Sequence, residues 1–273
     1  MFYVHYPIHG YDQVLDVLST TKTNSSMTSS IPLADFWHPD RNLPQKESII
    51  RCLGLEAKNL NEADYCFEYP TPAFLNRKCG KTIRYSKASM TDLMILLGES
   101  RRVTIEAKYT EYAKSDKYAP ILNEWCNGAE HRKKIIQCWI DYIKHGGRCE
   151  ISTVDELLKD SPDLPYQFLH RTASACFMCD HPILVYQLFY DNKDDKPSKM
   201  KEFEALLKSC AQQLRLIPER LPFYIIEVEV TSPPPLVYEG ASDLFTEMKQ
   251  SAMYTFGTSI SILDGYSLAC IKQ

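Results

Sequence analysis

The sequence predicts an α/β fold in which a mixed β-sheet is flanked by helices. Segments with apolar residues at every second position alternate with segments in which apolar residues recur every three or four positions. Their order is a helix, several strands that end in a hairpin, further helices, a strand, a helix and a strand. A chain of 273 residues, 44% hydrophobic and 24% charged, is long and apolar enough to bury such a sheet.

The first 44 residues differ in composition from the rest. A Ser/Thr-rich stretch at 20–30 is followed by Pro32, Pro39 and Pro44, which predicts an irregular N-terminal arm or a long surface loop over residues 1–44. Residues 45–273 are predicted to form a single domain, with a helix and a strand added at its C-terminal end.

Within that domain, Pro44 precedes an amphipathic segment that predicts a short helix weakened at Gly54. Period-two segments follow, and the clearest is a hairpin with strands at 88–97 and 101–109 around Gly98-Glu99-Ser100. Helical spacing with a closing Gly146-Gly147 predicts a helix over 128–145. Further helices are predicted at 153–160, 165–179, 199–215 and 241–254, and further strands at 183–190 and 223–230.

Charge and hydropathy exclude two classes of protein. A net charge of −4 excludes binding of nucleic acid or anionic membrane by bulk attraction. Apolar runs such as Leu93–Leu97 are far shorter than the ~20 residues of a membrane helix. The first residues, MFYVHYPIHGYDQ, mix polar groups into what would have to be the apolar core of a signal peptide. We therefore expect a soluble, cytoplasmic protein.

The ten cysteines include one CxxC motif, Cys176 and Cys179. A structural zinc site normally needs a second ligand pair at similarly tight spacing, and His181 lies too close in sequence to supply it. A buried helix end is the favoured interpretation, because reduced cysteines among apolar residues behave as small core side chains. A zinc-stabilised regulatory protein built on these three residues remains a lesser hypothesis.

The hairpin places two acids face to face. If its turn has three residues, Leu97 pairs with Arg101, and Asp92 then lies directly opposite Glu106. Directly opposed side chains have Cβ atoms roughly 5 Å apart, so the two carboxylates can hold one cation. Lys108 shares the strand face of Glu106, since residues two apart in a strand point the same way.

This arrangement is suited to phosphodiester hydrolysis. Two carboxylates, with the carbonyl of Ala107 as a further ligand, hold Mg²⁺, for which Mn²⁺ can substitute. The ammonium of Lys108 orients water and stabilises the transition state. Other acid-x-Lys matches, such as Glu56-Ala57-Lys58, are expected in helical or loop segments. Glu227 and Glu229 share a strand face but lack the lysine, and they are interpreted as an edge face.

Asp92 followed after 13 residues by Glu106-Ala107-Lys108 resembles the PD-(D/E)xK phosphodiesterase superfamily, which includes the restriction endonucleases. The resemblance implies a restriction endonuclease-like core of helix, three strands, helix and strand. It also implies Mg²⁺-dependent hydrolysis with Asp92, Glu106 and Lys108 as catalytic residues. Thr91 stands where the motif has proline. Many members add a carboxylate from the first helix or strand, and Glu47 and Glu68 are both candidates.

Basic residues provide a predicted binding surface. The stretch 77–87 holds five basic residues and no acid, and Lys81, Arg84 and Lys87 are its predicted nucleic-acid-binding residues. Solvated turns are the alternative interpretation of this stretch, and the favoured one for Arg101-Arg102. Three further polar residues are interpreted as structural or surface groups rather than catalytic ones: Gln137, His170 and Arg171.

These observations lead to the hypothesis of a metal-dependent nuclease, a restriction-like DNA endonuclease acting on double-stranded DNA. Enzymes of this type often cut both strands as dimers, so a homodimer is one expected assembly. The alternative is a non-catalytic nucleic-acid-binding or interaction protein on the same fold.

Overall fold

The computed structural model describes residues 2–4, 6–8, 10–21, 29–56, 58–73, 88–98, 100–109, 120–191, 196–232 and 241–271. The described strands are β1 Phe2–Val4, β2 Tyr6–Ile8, β3 Asp64–Thr71, β4 Ser89–Leu97, β5 Arg101–Lys108, β6 His181–Tyr190, β7 Phe223–Ser232 and β8 Thr255–Asp264. The described helices are α1 Tyr11–Thr21, α2 Ser30–Phe36, α3 Leu43–Cys52, α4 Asn59–Glu62, α5 Leu122–Cys126, α6 Glu130–Lys144, α7 Val154–Asp160, α8 Tyr166–Cys176, α9 Lys196–Gln213 and α10 Ala241–Gln250.

The strands form one mixed sheet in the order β2-β1-β3-β4-β5-β6-β7-β8. Neighbouring strands from β3 to β5 are antiparallel, those from β5 to β7 are parallel, and β8 returns antiparallel to β7. The predicted α/β fold with a mixed sheet flanked by helices is therefore confirmed. None of the described helices is both long enough and apolar enough to cross a membrane.

The two faces of the sheet are buried under separate helical layers. One face packs against α1, α2, α3 and α10 in a core that includes Trp37 and Phe189. The other face packs against α5 to α9 around Trp139, Phe168 and Tyr186. Because successive side chains of a strand point to opposite faces, central strands covered on both sides are apolar at nearly every position. This explains the continuous run ILVYQLF in β6.

The described part of residues 1–44 is not the irregular arm that the composition predicts, whereas most of the Ser/Thr-rich stretch, residues 22–28, lies outside the described residues. Helix α1 buries Val14 and Leu15 completely, and α2 contributes nearly all of its side chains to the same core. Pro32 is tolerated because it lies in the first turn of α2. The buried Asp35 carboxylate accepts hydrogen bonds from the backbone N–H groups of Met253 and Tyr254 at 3.0 and 2.7 Å. The described part of residues 1–44 therefore shares a core with residues 45–273.

Most other predicted elements agree with the structure to within a few residues, and two expectations differ. The last predicted strand is 223–230, and β8 at Thr255–Asp264 is an additional strand, whose apolar alternation is interrupted by Gly257 and two serines. Strand β7 pairs on both sides, with β6 and β8, so the prediction that Glu227 and Glu229 occupy an edge face is wrong.

Glu227 instead belongs to a buried acid pair. It shares a hydrogen bond with Glu204 of α9, and Lys201 pairs with both carboxylates, at 3.1 Å from either oxygen of Glu204. Burial, followed by the hydrogen bond and charge of Glu227, raises the pKa of Glu204 from 4.5 to about 8. Two adjacent buried carboxylates share one proton because ionising both is unfavourable.

We predict that this shared proton makes stability depend on pH. The folded state keeps the proton on Glu204 between pH 4.5 and 8, whereas the unfolded chain releases it near 4.5, so the free energy of unfolding falls as pH rises through this window. Glu204→Gln mimics the protonated form, so its free energy of unfolding should decrease less with rising pH. The difference from wild type should be on the order of 1 kcal/mol near pH 8. Urea unfolding from pH 5 to 9 measures the difference.

Glu202→Gln is the matched control, because Glu202 is exposed on the same helix. Parallel stability curves for wild type and Glu204→Gln would contradict the shared proton.

Candidate active site

The predicted register of the β4–β5 hairpin is confirmed. Leu97 pairs with Arg101 and Leu93 with Ile105, so Asp92 lies across from Glu106. The Oδ2 atom of Asp92 accepts a hydrogen bond from the main-chain N–H of Ala107 at 2.9 Å. The Asp92 carboxylate is therefore fixed against the strand that carries the Glu-Ala-Lys motif.

Glu106 is almost completely buried and is surrounded by donors. Its Oε1 atom accepts hydrogen bonds from Lys108 Nζ at 2.8 Å and from Gln167 Nε2 at 2.6 Å. The guanidinium of Arg171 forms an ion pair with its Oε2 atom. A buried carboxylate needs such partners, because an isolated one would be strongly destabilised.

The two carboxyl groups have pKa values shifted in opposite directions. Burial, together with the negative charge of Glu106, raises the pKa of Asp92 well above its usual range. Burial would raise the pKa of Glu106 as well, but the charges of Arg171 and Lys108 outweigh it and lower that pKa. Such opposed shifts in one cluster are typical of functional sites, although buried ion-pair networks also produce them.

A polar network behind Glu106 fixes Arg171. Ser89 Oγ accepts a hydrogen bond from Arg171 Nη1 at 2.9 Å and lies 2.7 Å from Nδ1 of His170. Ser174 Oγ lies 3.3 Å from the same Ser89 oxygen. Burial and the neighbouring charge of Arg171 lower the pKa of His170 well below its usual value, which keeps its ring neutral. The guanidinium is thereby held in place on the face of Glu106.

The structure distinguishes the two candidates for an additional carboxylate. Glu68 lies in β3 between the pairs Phe67↔Leu93 and Tyr69↔Thr91, which places it across from Asp92. It is buried, and its charge contributes to the raised pKa of Asp92. Glu47 lies on the exposed surface of α3 and pairs with Arg51 at 3.2 Å. Glu68 is thus the third acid in a row across β3, β4 and β5.

Gln137 was interpreted from the sequence as a surface residue rather than a catalytic one, and the structure agrees, whereas Gln167 was not singled out. Gln137 lies away from the cluster, where its Oε1 atom accepts the N–H of Val154 at the start of α7. Gln167 contacts Glu106 instead, and Arg171 and His170, interpreted from the sequence as structural, lie beside it. The available signal was their spacing in YQFLHR, which places residues 167, 170 and 171 on one side of a helix.

The donor chemistry of this cluster fits a hard divalent cation such as Mg²⁺. Among the described residues, no three His, Cys, Asp or Glu side chains form a ready-made metal cluster. Two adjacent carboxylates nevertheless supply the oxygen ligands that Mg²⁺ prefers. The Oε2 atom of Glu106 is buried and is paired with the guanidinium of Arg171, so a cation would have to share this carboxylate with the arginine. A cation between the two acids would offset the charge that now raises the pKa of Asp92.

The sequence also predicted two groups of basic residues near the hairpin. Lys81, Arg84 and Lys87 fall outside the described residues. The tip residue Arg102 donates to the carbonyl oxygens of Phe177 and Met178, at 2.7 and 3.0 Å.

The CxxC thiols do not resemble a zinc site. Cys176 and Cys179 are both buried, and burial raises the pKa of each thiol, which disfavours the thiolate that zinc requires. His181 is exposed at the start of β6. This arrangement agrees with the buried helix end favoured by the sequence.

Fold and site together define an α/β protein that holds two opposed carboxylates and a lysine at one end of a mixed sheet. Residues 7–230 match the model of the family described as "Domain of unknown function (DUF6946)", and the chain belongs to that family. The match runs from β2 through most of β7 and includes every residue of the cluster. Neither a curated protein nor a solved structure matches the chain.

We predict that Ser89→Ala destabilises the protein by about 1–3 kcal/mol, because it leaves buried polar groups of Arg171 and His170 without their shared partner. Urea unfolding at neutral pH measures the change. Ser259→Ala, an exposed serine on β8, is the control. Equal stabilities for the two variants would show that the Ser89 network contributes nothing.

Proposed function

We propose that this protein is a Mg²⁺-dependent phosphodiesterase of the PD-(D/E)xK type, acting as a DNA endonuclease. The observation that carries the proposal is the contact between the Asp92 carboxylate and the Glu106-Ala107-Lys108 segment across a hairpin. Acid-x-Lys alone is a weak motif. Its combination with a buried opposing acid is an arrangement suited to metal-assisted phosphodiester hydrolysis.

The residues of the cluster divide into two roles. Asp92, Glu106 and the main-chain carbonyl of Ala107 would hold the cation. When bound, Mg²⁺ supplies a Lewis acid that makes water a better nucleophile and offsets charge on the phosphate. The Lys108 ammonium, 2.8 Å from Glu106, is placed to orient the attacking water and to stabilise negative charge in the transition state.

The order of elements also supports this proposal. Helix α3 precedes β3, β4 and β5, the helices α6 and α8 follow, and β6 then pairs parallel to β5. This is the order of helix, three strands, helix and strand that the superfamily resemblance implies. Element order is shared by unrelated proteins, so the acids and the lysine carry more weight than the topology.

Double-stranded DNA is the substrate we propose. The basic stretch 77–87 connects β3 to β4, and the chain returns from it to Ser89, three residues before Asp92. Lys81, Arg84 and Lys87 would contact phosphates on either side of the scissile bond. A homodimer would allow both strands to be cut and stays a prediction.

One observation favours the alternative of a non-catalytic nucleic-acid-binding protein. Glu106 already contacts Lys108, Arg171 and Gln167, and such a set of partners can stabilise a buried carboxylate without any metal. Such a protein would bind duplex DNA with an affinity that falls with salt, and it would not cut DNA with Mg²⁺ or Mn²⁺.

We predict that Asp92→Asn and Lys108→Ala each reduce Mg²⁺-dependent cleavage of plasmid DNA by about 100-fold or more, the usual scale for loss of one electrostatic or acid-base group. Asp92→Asn is the sharper variant, because the amide oxygen can still accept the N–H of Ala107. Initial rates of supercoiled-plasmid nicking measure the effect.

The chain offers a matched control in Glu56→Gln and Lys58→Ala. These residues repeat the Glu-Ala-Lys triplet on the surface, where they pair with one another at 2.7 Å. Full activity in Asp92→Asn, or loss of activity in both sets of variants, would refute the assignment. Salt-sensitive DNA binding without cleavage in wild type would establish the alternative.

A second prediction concerns the cation itself. Mn²⁺ or Ca²⁺ should stabilise the wild-type protein, by about 2.7 kcal/mol when present at about 100 times its Kd. Asp92→Asn should lose this stabilisation, because one of the two carboxylates that would bind the cation becomes neutral. Thermal unfolding with the cation and after addition of EDTA measures it, and Glu56→Gln should respond like wild type. Identical shifts in all three proteins would place the cation elsewhere.

A further inference from the structure

A separate cavity of about 410 Å³ lies at the opposite end of the sheet from the carboxylate cluster. Arg101 and His181, paired at the starts of β5 and β6, form part of its wall. Glu106 pairs with Tyr186 five residues further along the same strands. At ~3.3 Å per residue this separates the cavity from the cluster by about 17 Å, so the cavity is not part of the candidate active site.

The most unusual residue of this cavity is Arg148, which is only 3% exposed. Its guanidinium donates to main-chain carbonyls of His145, Cys179 and Asp180, the last two at 2.5 and 3.2 Å. It forms no ion pair with any residue in the described part of the chain. A buried cation without a carboxylate partner attracts an anion, because its charge is only partly compensated by peptide dipoles.

The backbone is shaped to keep this guanidinium in the wall. Gly146 has φ +79°, and a Cβ atom there would lie 3.1 Å from Cζ of Arg148. A side chain at residue 146 would therefore displace the arginine or fill the cavity. The glycine both adopts the left-handed backbone conformation and leaves room for the charged group.

Two exposed arginines add to this charge. Arg101 and Arg220 line the cavity, and neither forms an ion pair or a side-chain hydrogen bond with the described residues. Asp180 and Glu219 also line it, so the lining holds three arginines and two acidic residues. The excess is positive, and guanidinium groups bind phosphate oxygens through paired N–H donors.

Apolar side chains form another part of the wall, which also includes His145 and His181. Leu53, Pro182 and Ile183 are buried around the cavity, and Pro222 borders it. Proline rings and aliphatic side chains offer a surface for a planar ring rather than for a free ion. A volume of this size is within the range of small-molecule sites.

We propose that this cavity binds a small phosphomonoester that carries a planar ring, of the nucleoside monophosphate class. The phosphate contacts the guanidinium groups of Arg101, Arg148 and Arg220, and the ring packs on the apolar wall. This binding site does not depend on the proposed nuclease activity. Arg148 also joins the end of α6 to the loop before β6, so the test uses the two exposed arginines, which have no such structural contacts.

The experiment is isothermal titration of the full chain with AMP, in EDTA and at constant ionic strength, with adenosine and inorganic phosphate titrated separately. We expect saturable AMP binding that is tighter than binding of either part. Arg101→Ala and Arg220→Ala should each weaken it about tenfold, the effect of losing a charge-assisted hydrogen bond. Arg51→Ala, an exposed arginine on α3, and Asp92→Asn should leave it unchanged.

Three outcomes would overturn the proposal. The first is the absence of saturable AMP binding to the wild-type chain. The second is phosphate binding as tight as AMP binding, which would exclude a role for the apolar wall. The third is an affinity that falls in Asp92→Asn and not in the two arginine variants, which would place the nucleotide at the carboxylate cluster instead.

Discussion

The buried carboxylate of Glu106 constrains the arrangement of the residues around it. A charge at this depth is tolerated only if opposite charges and hydrogen-bond donors surround it. Lys108 on the same strand and Arg171 on α8 supply the charges, and Gln167 supplies a neutral donor. These partners come from two separate parts of the chain, so the packing of α8 on the sheet and the ionisation of Glu106 depend on each other.

This dependence explains the composition of α8. The helix is mostly buried, yet it carries polar residues at 167, 170, 171 and 174 on the side that faces β4 and β5. Polar groups in a buried helix are destabilising unless each finds a partner. Ser89 provides that partner for three of them, and it therefore connects α8 to the first residue of β4. The strand that carries Asp92 is positioned by the same contacts that hold Arg171.

The sequence was most informative where contacts are local. The pairing of Asp92 with Glu106 follows from the length of one turn, because a hairpin register depends only on the residues between its strands. Gln167 and Arg171 are 61 and 65 residues from Glu106, and no turn fixes their position relative to it. Their spacing within α8 indicates that they lie on one face of the helix, but it does not indicate which strands that face packs against.

The N-terminal helices were hidden for a different reason. The Ser, Thr and Pro content of residues 1–44 is typical of loops, whereas the buried side chains at residues 14, 15 and 18 have helical spacing. Composition describes a whole segment, but packing depends on a few apolar positions within it. The same limit applies to charge. The net charge of −4 does not show that acids are grouped near Glu106, at the C-terminal end of β5, or that arginines are grouped near its N-terminal end. Strand β5, from Arg101 to Lys108, thus runs from the arginine-lined cavity at one end of the sheet to the carboxylate cluster at the other.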